Sequence, residues 1–387
     1  MLAPTLLAAA AIAAVILVAV RDRRPGSPID PSEYVGDGRC LSCHVDRKSF
    51  LHTAHHLSSR LPSSTSIAGR FDSGHSILRT PNPYLHFRMD AGATGFYQSA
   101  VFNAGPDSGT VTRRFGMVIG SGRKGQSYLY WRGDSLFQLP VSYWTGLDEW
   151  IMSPGYAEGI ANFDRVVAPR CLECHTTSIR NLPAAGIANR YDTTTIVLGI
   201  ACEKCHGPGR AHIRREESSI ARILGSRIVN PRDLPREREV QICASCHGGI
   251  GEERAPAFSY RPGERLANYL HLQSPPPNEP LDVHDNQVAL LERSECYQRS
   301  GMTCATCHDV HVQERDPVAI SGRCLTCHTA SSCGLFPKHG SELAGRCVDC
   351  HMPERTSNAI VSAIRGGAVR PRIRSHWIRV YPESGAR

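Results

Sequence analysis

Hydrophobic and polar positions divide the chain into stretches of different character. Residues 2–20 (LAPTLLAAAAIAAVILVAV) are apolar and uncharged. Such a run is either the apolar core of a secretory leader or a short membrane anchor, and in both cases it stands outside the fold. Arg21, Arg23 and Arg24 follow it while no Lys or Arg precedes it, an inversion of the usual charge bias. Residues 21–35, rich in Pro, Ser and charge, predict a linker. Residues 36–66 form a further segment, in which Phe50 to His56 have a helical pattern. Residues 67–145 differ again. Apolar and polar residues alternate over Tyr84–Met89, Gly95–Phe102 and Ser127–Trp131, with Gly, Pro, Asn and Asp between them. This predicts strands and hairpins, with Gly133-Asp134 as a tight turn. From 146 to 387 the periodicity is weak: a helical stretch spans Val283 to Glu295, residues 274–280 (SPPPNEP) form a loop, and an Arg-rich tail follows Pro353. The expected fold class is mainly α and irregular, with little regular structure, plus a small inserted β-subdomain at about 67–145.

Superimposed on this weak pattern is one strong motif. Cys-x-x-Cys-His occurs seven times, with its cysteines at Cys40/Cys43, Cys171/Cys174, Cys202/Cys205, Cys243/Cys246, Cys304/Cys307, Cys324/Cys327 and Cys347/Cys350. Its histidines are His44, His175, His206, His247, His308, His328 and His351; the motifs are called first to seventh in this order. A lone Cys-x-x-Cys could be half a zinc site or a redox dithiol. Zinc, however, does not demand a His after every second Cys, and here all seven pairs carry one. The pattern is the attachment signature of c-type haem: two thiols bond the porphyrin edge and the adjacent His ligates the iron. Seven covalently attached haems c are therefore expected. Gly120-x-Gly122-x-x-Gly125 also matches the dinucleotide fingerprint, but the residues after it are aromatic and β-like rather than helical, so it reads as a hairpin loop.

The haem motifs change what composition implies. Residues 171–351 hold six motifs, about 30 residues each. That is too little chain to build a side-chain core around every cofactor, so the porphyrins must supply buried surface and the chain should not fold without them. The formal charge of +8 suggests an acidic partner, yet seven haems would bring roughly −14 from propionates against roughly +7 from ferric irons. The sum is near zero and no nucleic-acid motif is present; basic residues are expected to pair with propionates. Trp144, Trp150 and Tyr156, in the aromatic lead-in to the second motif, are expected to pack on porphyrin faces. Of 16 Cys, the motifs leave Cys296 and Cys333, either a disulfide or two buried thiols.

Eleven of the 18 His lie outside the motifs, enough to give every iron a second imidazole. His212 in CHGPGRAH and His311 in CHDVH sit close to a motif yet point away from its own haem, so each suits a neighbouring one. His55, His284, His339 and His376 are further candidates for distal ligands, ahead of His52, His56, His75, His86 and His271. Met302 and Met352 lie too close to their own motifs to reach the same iron and read as packing residues.

Cys40-x-x-Cys43-His44 followed by Phe50-x-x-Thr53-x-His55 resembles the opening of multihaem c-type cytochromes of the cytochrome c-554-like family, relatives of the tetrahaem electron acceptor of hydroxylamine oxidoreductase. GQSYLYW, LPVSYWTGLDEWIMSPGY, CEKCHGPGRAH, CATCHDVH and CVDCHMP resemble segments of a seven-haem bacterial group. The resemblance implies an exported electron carrier with mostly bis-His haems in close-packed pairs. It implies distal roles for His55, His212, His311 and His376, and pairing of Cys296 with Cys333. Expected partners are other redox proteins or a membrane quinol-oxidising complex, with no nucleic acid, in the periplasm or anchored at the inner membrane through residues 2–20. Two alternatives stand beside this: an oxidoreductase acting on a small nitrogen or sulfur species at one open haem, and a subunit of a surface electron-conduit complex or haem filament. No residue is singled out as catalytic.

Overall fold

The computed structural model describes residues 26–182, 186–218, 228–273, 276, 279–314 and 316–381. The apolar run at 2–20, the start of the linker and most of the 274–280 loop lie outside the described residues. No helix among the described residues is long and apolar enough to cross a membrane.

Two antiparallel sheets dominate the N-terminal half. Strands β1 (Ser59–Arg60), β2 (Ile77–Arg79), β3 (Leu85–Gly92), β4 (Gly95–Phe102), β5 (Gly109–Arg114), β6 (Met117–Ile119), β7 (Gly125–Arg132), β8 (Ser135–Gln138), β9 (Val141–Trp144) and β10 (Glu149–Met152) follow in sequence. One sheet runs β2-β3-β4-β5; the other runs β1-β6-β7-β9-β10, with β8 on β7. The glycine-rich loop 120–125 joins β6 to β7, whose Met117 opposes Leu129, and Gly133-Asp134 turns β7 into β8.

Period-two alternation sorts these strands into two cores. Leu85, Phe87 and Met89 of β3 point inward with Tyr128 and Tyr130 of β7 and Trp150 of β10, forming one cluster lined by both sheets. Leu129 points to the opposite face, where Met117, Leu136, Leu172, Ile179 and Tyr191 pack. Leu172 lies within the second motif and Ile179 and Tyr191 on the next hairpin, so this face seats the second motif directly on the sheet. Buried Gln98 ties the sheets together. Its amide donates to the Val141 carbonyl at 3.1 Å and its oxygen accepts from the Val141 N–H at 2.9 Å, imitating a backbone pair.

The expectation of little regular structure is overturned: the described residues hold eighteen strands in six sheets as well as helices. β11 (Thr176–Asn181) pairs β12 (Tyr191–Leu198), and β13 (Gly251–Glu253) pairs β14 (Leu270–Leu272). The Arg-rich tail folds into two more ladders, β15 (Glu354–Thr356) with β18 (Arg372–Arg374) and β16 (Ser362–Ile364) with β17 (Gly367–Val369). Most of these strands have three residues, too short to show alternation. The aromatic assignment also needs correction. Trp150 packs against Phe71, Phe115, Tyr128 and Tyr143 inside the sheet core, and Tyr156 joins the same cluster with its hydroxyl donating to the Gln138 carbonyl at 2.9 Å. Trp144 stands half-buried at the end of β9, opposite Gly125 and Glu149. Trp150 and Tyr156 fill a protein core and leave none of their surface for a porphyrin. The helical stretch expected at 283–295 is two pieces, Gln287–Glu292 and Glu295–Gln298, and the stretch Phe50 to His56 is split between the 3₁₀ segments Val45–His52 and His56–Ser58, with a turn at 53–55 between them.

Side-chain core is unevenly shared. Among the described residues after 292, the buried hydrophobic side chains are Leu343, Val348 and Tyr381. Stability of the N-terminal half therefore rests on the sheets. Phe87 has no exposed surface, and Phe87→Ala is expected to cost about 3–5 kcal/mol by transfer and cavity terms, read as a lowered denaturant midpoint in equilibrium unfolding.

Candidate functional site

Every Cys-x-x-Cys-His motif begins on, or lies at the end of, a helical segment: Asp37–Leu41, Pro169–Glu173, Cys202–His206, Arg236–His247, Cys304–Cys307, Pro317–Cys324 and Cys347–His351. Several turns close with the His N–H donating to the first Cys carbonyl, at 3.0 Å for His44, 2.9 Å for His308 and 3.0 Å for His328. Positions i, i+3 and i+4 of a helical turn share one face. Two thiols and one imidazole consequently project the same way from a segment that needs no tertiary support.

Opposite four of these faces stands a second imidazole. His44 and His212 have ring centroids 6.5 Å apart with planes at 22°; His206 and His311, 6.2 Å and 29°; His308 and His376, 6.0 Å and 33°. His247 and His55 are 6.1 Å apart, with planes nearly perpendicular at 81°. Two imidazoles sharing one metal through roughly 2 Å bonds, each nitrogen roughly 1.1 Å from its ring centre, have centroids about 6.2 Å apart. All four separations fit one iron between the rings, where direct stacking would close the gap to van der Waals contact. Protonation suits the same task. Burial lowers His206, and takes His376 down to about 4, leaving neutral imidazoles. His206 Nδ1 lies 2.8 Å from the Val229 carbonyl and His351 Nδ1 3.0 Å from the Arg379 carbonyl. A carbonyl only accepts, so these Nδ1 atoms carry the proton and Nε2 is left for a metal.

The motifs also touch one another. Thiols of Cys40 and Cys202, of Cys174 and Cys246, of Cys243 and Cys304, and of Cys324 and Cys347 lie beside one another. Separate hydrogen bonds join the same segments. Cys202 N–H donates to Asp37 at 2.9 Å, Arg170 to the Ser245 carbonyl at 2.8 Å, Thr303 to Glu239 at 2.8 Å, and Val348 N–H to Ser321 at 3.3 Å. Arg323 donates to the Cys307 carbonyl, linking the fifth and sixth motifs, and Cys205 lies within electrostatic reach of Cys246. In space the motifs thus run first, third, fourth, fifth, sixth, seventh, with the second beside the fourth.

Not every motif thiol shares in these contacts. Cys43, Cys171 and Cys327 are exposed and Cys350 is half-buried. Cys327 closes its own turn, its N–H donating to the Cys324 carbonyl at 3.2 Å, and the Thr326 hydroxyl lies 3.9 Å from its Sγ. Beyond that turn it comes only within electrostatic reach of Cys307. Cys350 comes within the same reach of Cys347, its partner in the seventh motif. The attachment of Cys327 and Cys350 to haem is expected from motif spacing.

Other candidates are placed differently. His284 lies within electrostatic reach of His175, but its Nε2 faces Asp285 at 2.9 Å. His339 ends the turn Phe336–His339, and among the described residues no ring contact joins it to a motif histidine. His86 and His271 sit on β3 and β14, and His75 contacts Asp72. His56 approaches Asp37 at 3.1 Å. Cys296 and Cys333 are half-buried and unbonded: Cys296 neighbours Cys307 and Cys324, whereas Cys333 neighbours Cys347. Motif reading had no signal for the residues that orient the rings from behind. Ser294, fully buried, donates to the His376 carbonyl at 3.0 Å and accepts from Ile378 N–H at 2.7 Å; Val229 and Arg379 act through backbone carbonyls, which any residue supplies.

Comparison with known proteins adds context. The family model of cytochrome c554 and c-prime matches residues 156–207, which include the second and third motifs. A curated relative, the multiheme cytochrome MtrA of Shewanella baltica (strain OS185), is 25% identical over 187 residues, or 46% of this chain and 42% of that protein. The chain thus spans less than half the length of that relative. No solved structure matches.

Proposed function

We propose that the chain is a multihaem c-type cytochrome with covalently bound haem c, that it holds seven haems, and that it conducts electrons between redox proteins outside the cytoplasm; the match to the cytochrome c554 family model and the likeness to a multiheme cytochrome support this. The observation that carries this reading is the set of four histidine pairs at 6.0–6.5 Å, each drawing its rings from different parts of the chain. In this reading each motif's two cysteines form the thioethers, Cys327 and Cys350 among them, and its histidine is the proximal ligand. His212, His55, His311 and His376 are the distal ligands for the irons of His44, His247, His206 and His308. His284 serves His175 after its Nε2 turns away from Asp285. Haem supplies a one-electron couple, and the protein fixes spacing and orientation, excludes water and sets each potential through ligands and nearby charge. Segment-to-segment contacts give a path from the first motif through the third, fourth, fifth and sixth to the seventh, with the second as a branch at the fourth. Attachment of haem c outside the cytoplasm makes residues 2–20 an export leader or anchor in the same reading.

A second reading, conversion of a small nitrogen or sulfur species at an iron with one open side, is favoured at the sixth and seventh motifs. There, among the described residues, no ring contact brings a second imidazole to His328 or His351, although His351 is oriented by Arg379.

Low-temperature EPR of the oxidised protein, with haem counted by pyridine haemochrome, tests both readings. Seven haems with only low-spin iron support the conductor; a high-spin signal that changes on adding hydroxylamine, nitrite or sulfite supports the second. Perpendicular imidazole planes leave two iron d orbitals nearly degenerate, so the His55–His247 iron is expected to give a strongly anisotropic signal beside the rhombic signals of the near-parallel pairs. Replacing His212 by Ala should convert one iron per molecule to high spin. The sparse core after residue 292 generates a further expectation. Chain produced without haem attachment should lose 293–381 first in limited proteolysis while the β3–β10 region resists; uniform cleavage would contradict it.

A further inference from the structure

We propose that Glu203, one of the two variable residues inside the third motif, is the positioning residue of the His44–His212 pair. The inference rests on the haem reading above. Glu203 is 2% exposed, and among the described residues the donors to its carboxylate are backbone N–H groups. Val35 N–H lies 2.9 and 3.1 Å from its two oxygens, Gly36 N–H 2.9 Å from Oε2, and Gly209 N–H 2.7 Å from Oε1. Val35 and Gly36 lead into Asp37–Leu41, the helical turn of the first motif that ends at His44. Gly209 opens Arg210–Glu216, the helix that carries His212. One buried carboxylate therefore holds the leading ends of both segments whose rings face each other at 6.5 Å.

Three further observations fit this role. The contact is reciprocal: Asp37 of the first motif's helix accepts the Cys202 N–H at the head of Glu203's own helix, at 2.9 Å. Gly209 leaves no room for a side chain, since a Cβ there would lie 2.8 Å from Val35 Cγ2 and 3.1 Å from Glu203 Oε1. And Glu203 lies within electrostatic reach of Cys40, the first thiol of the motif it positions. The chemistry demands a carboxylate. Both oxygens must accept, one toward each segment; a Gln would turn an NH₂ against one set of N–H donors and leave them buried and unpaired. A fixed negative charge beside the first motif also favours the ferric state of its iron, so neutralising it raises that reduction potential.

The test uses the full-length holoprotein, wild type and as Glu203→Gln, Gly209→Ala and His212→Ala, with Phe87→Ala as a control for general destabilisation. His212→Ala identifies the EPR signal of the His44–His212 iron as the one it removes. Glu203→Gln is expected to retain the wild-type haem count, displace that one signal and raise one potential in a redox titration. Gly209→Ala should displace the same signal with the potentials nearly unchanged, because the charge remains. If Glu203→Gln fails to mature, Gly209→Ala decides alone. Spectra and potentials that coincide with wild type in both variants would overturn the proposal, as would a lowered melting point with no single signal displaced, the behaviour expected of Phe87→Ala. A wild-type protein lacking low-spin iron, or with far fewer haems than motifs, would instead overturn the functional reading.

Discussion

A helical turn places residues i, i+3 and i+4 on one face, and from that local geometry the rest of this molecule follows. Each Cys-x-x-Cys-His segment can present two thiols and an imidazole without help from distant chain, but it cannot supply a ligand to the far side of its own iron. That ligand has to come from elsewhere. In the four histidine pairs the structure brings together, the ring that faces the motif comes from beyond another motif: His212 beyond the third, His311 beyond the fifth, His376 beyond the seventh and His55 beyond the first. Short helices with little core of their own become a tertiary structure through these crossings, and through hydrogen bonds such as Thr303 to Glu239 and Cys202 to Asp37 that hold neighbouring motifs in register.

The two large sheets solve a different problem. Their shared aromatic core, with Phe87, Tyr128 and Trp150 at its centre, is that of an ordinary antiparallel β protein. The outer face of the six-stranded sheet carries the second motif through Leu172, Ile179 and Tyr191. The chain thus joins a part that holds itself together by side-chain burial to a part that has almost none after residue 292. Covalent cofactors would supply that missing burial, since two thioethers and two iron bonds per site act as staples.

How much of this the sequence disclosed depended on the range of the signal. The seven motifs were legible because the chemistry is written in five consecutive residues. The same five residues could not say which thiols would face a neighbouring motif, as Cys324 and Cys347 do, since that depends on how the turns are packed. Alternation over eight residues likewise marked β3, β4 and β7. Three-residue ladders such as β13–β14 and β15–β18 carry no readable period, and an Arg-rich stretch gives no hint of strand. Trp150 and Tyr156 misled for a physical reason: a buried aromatic satisfies a porphyrin and a sheet core equally, and composition cannot say which is adjacent. Among the histidines, the four that face a motif ring are the ones the family resemblance implied, whereas His339 had only its position in the chain to recommend it and, among the described residues, has no ring contact with a motif histidine. Ser294 and Glu203 left no trace, because the backbone partners of Ser294 lie more than eighty residues away and two of those of Glu203, Val35 and Gly36, more than a hundred and sixty.

The crossing of ligands between motifs also sets a timetable for assembly. A chain that emerges amino-terminus first presents His44 long before His212, and His308 well before His376, so these irons would wait with one face uncovered. His247 is the exception, since His55 has already emerged. Completion would not follow the order of synthesis: the fourth site can close as soon as its own turn forms, the first must wait for the helix beyond the third, and the fifth depends on residues from the last ladder of the tail. Counted by the residue that completes each pair, the first would close at His212, the fourth at His247, the third at His311 and the fifth at His376, so the fourth site would be complete before the third.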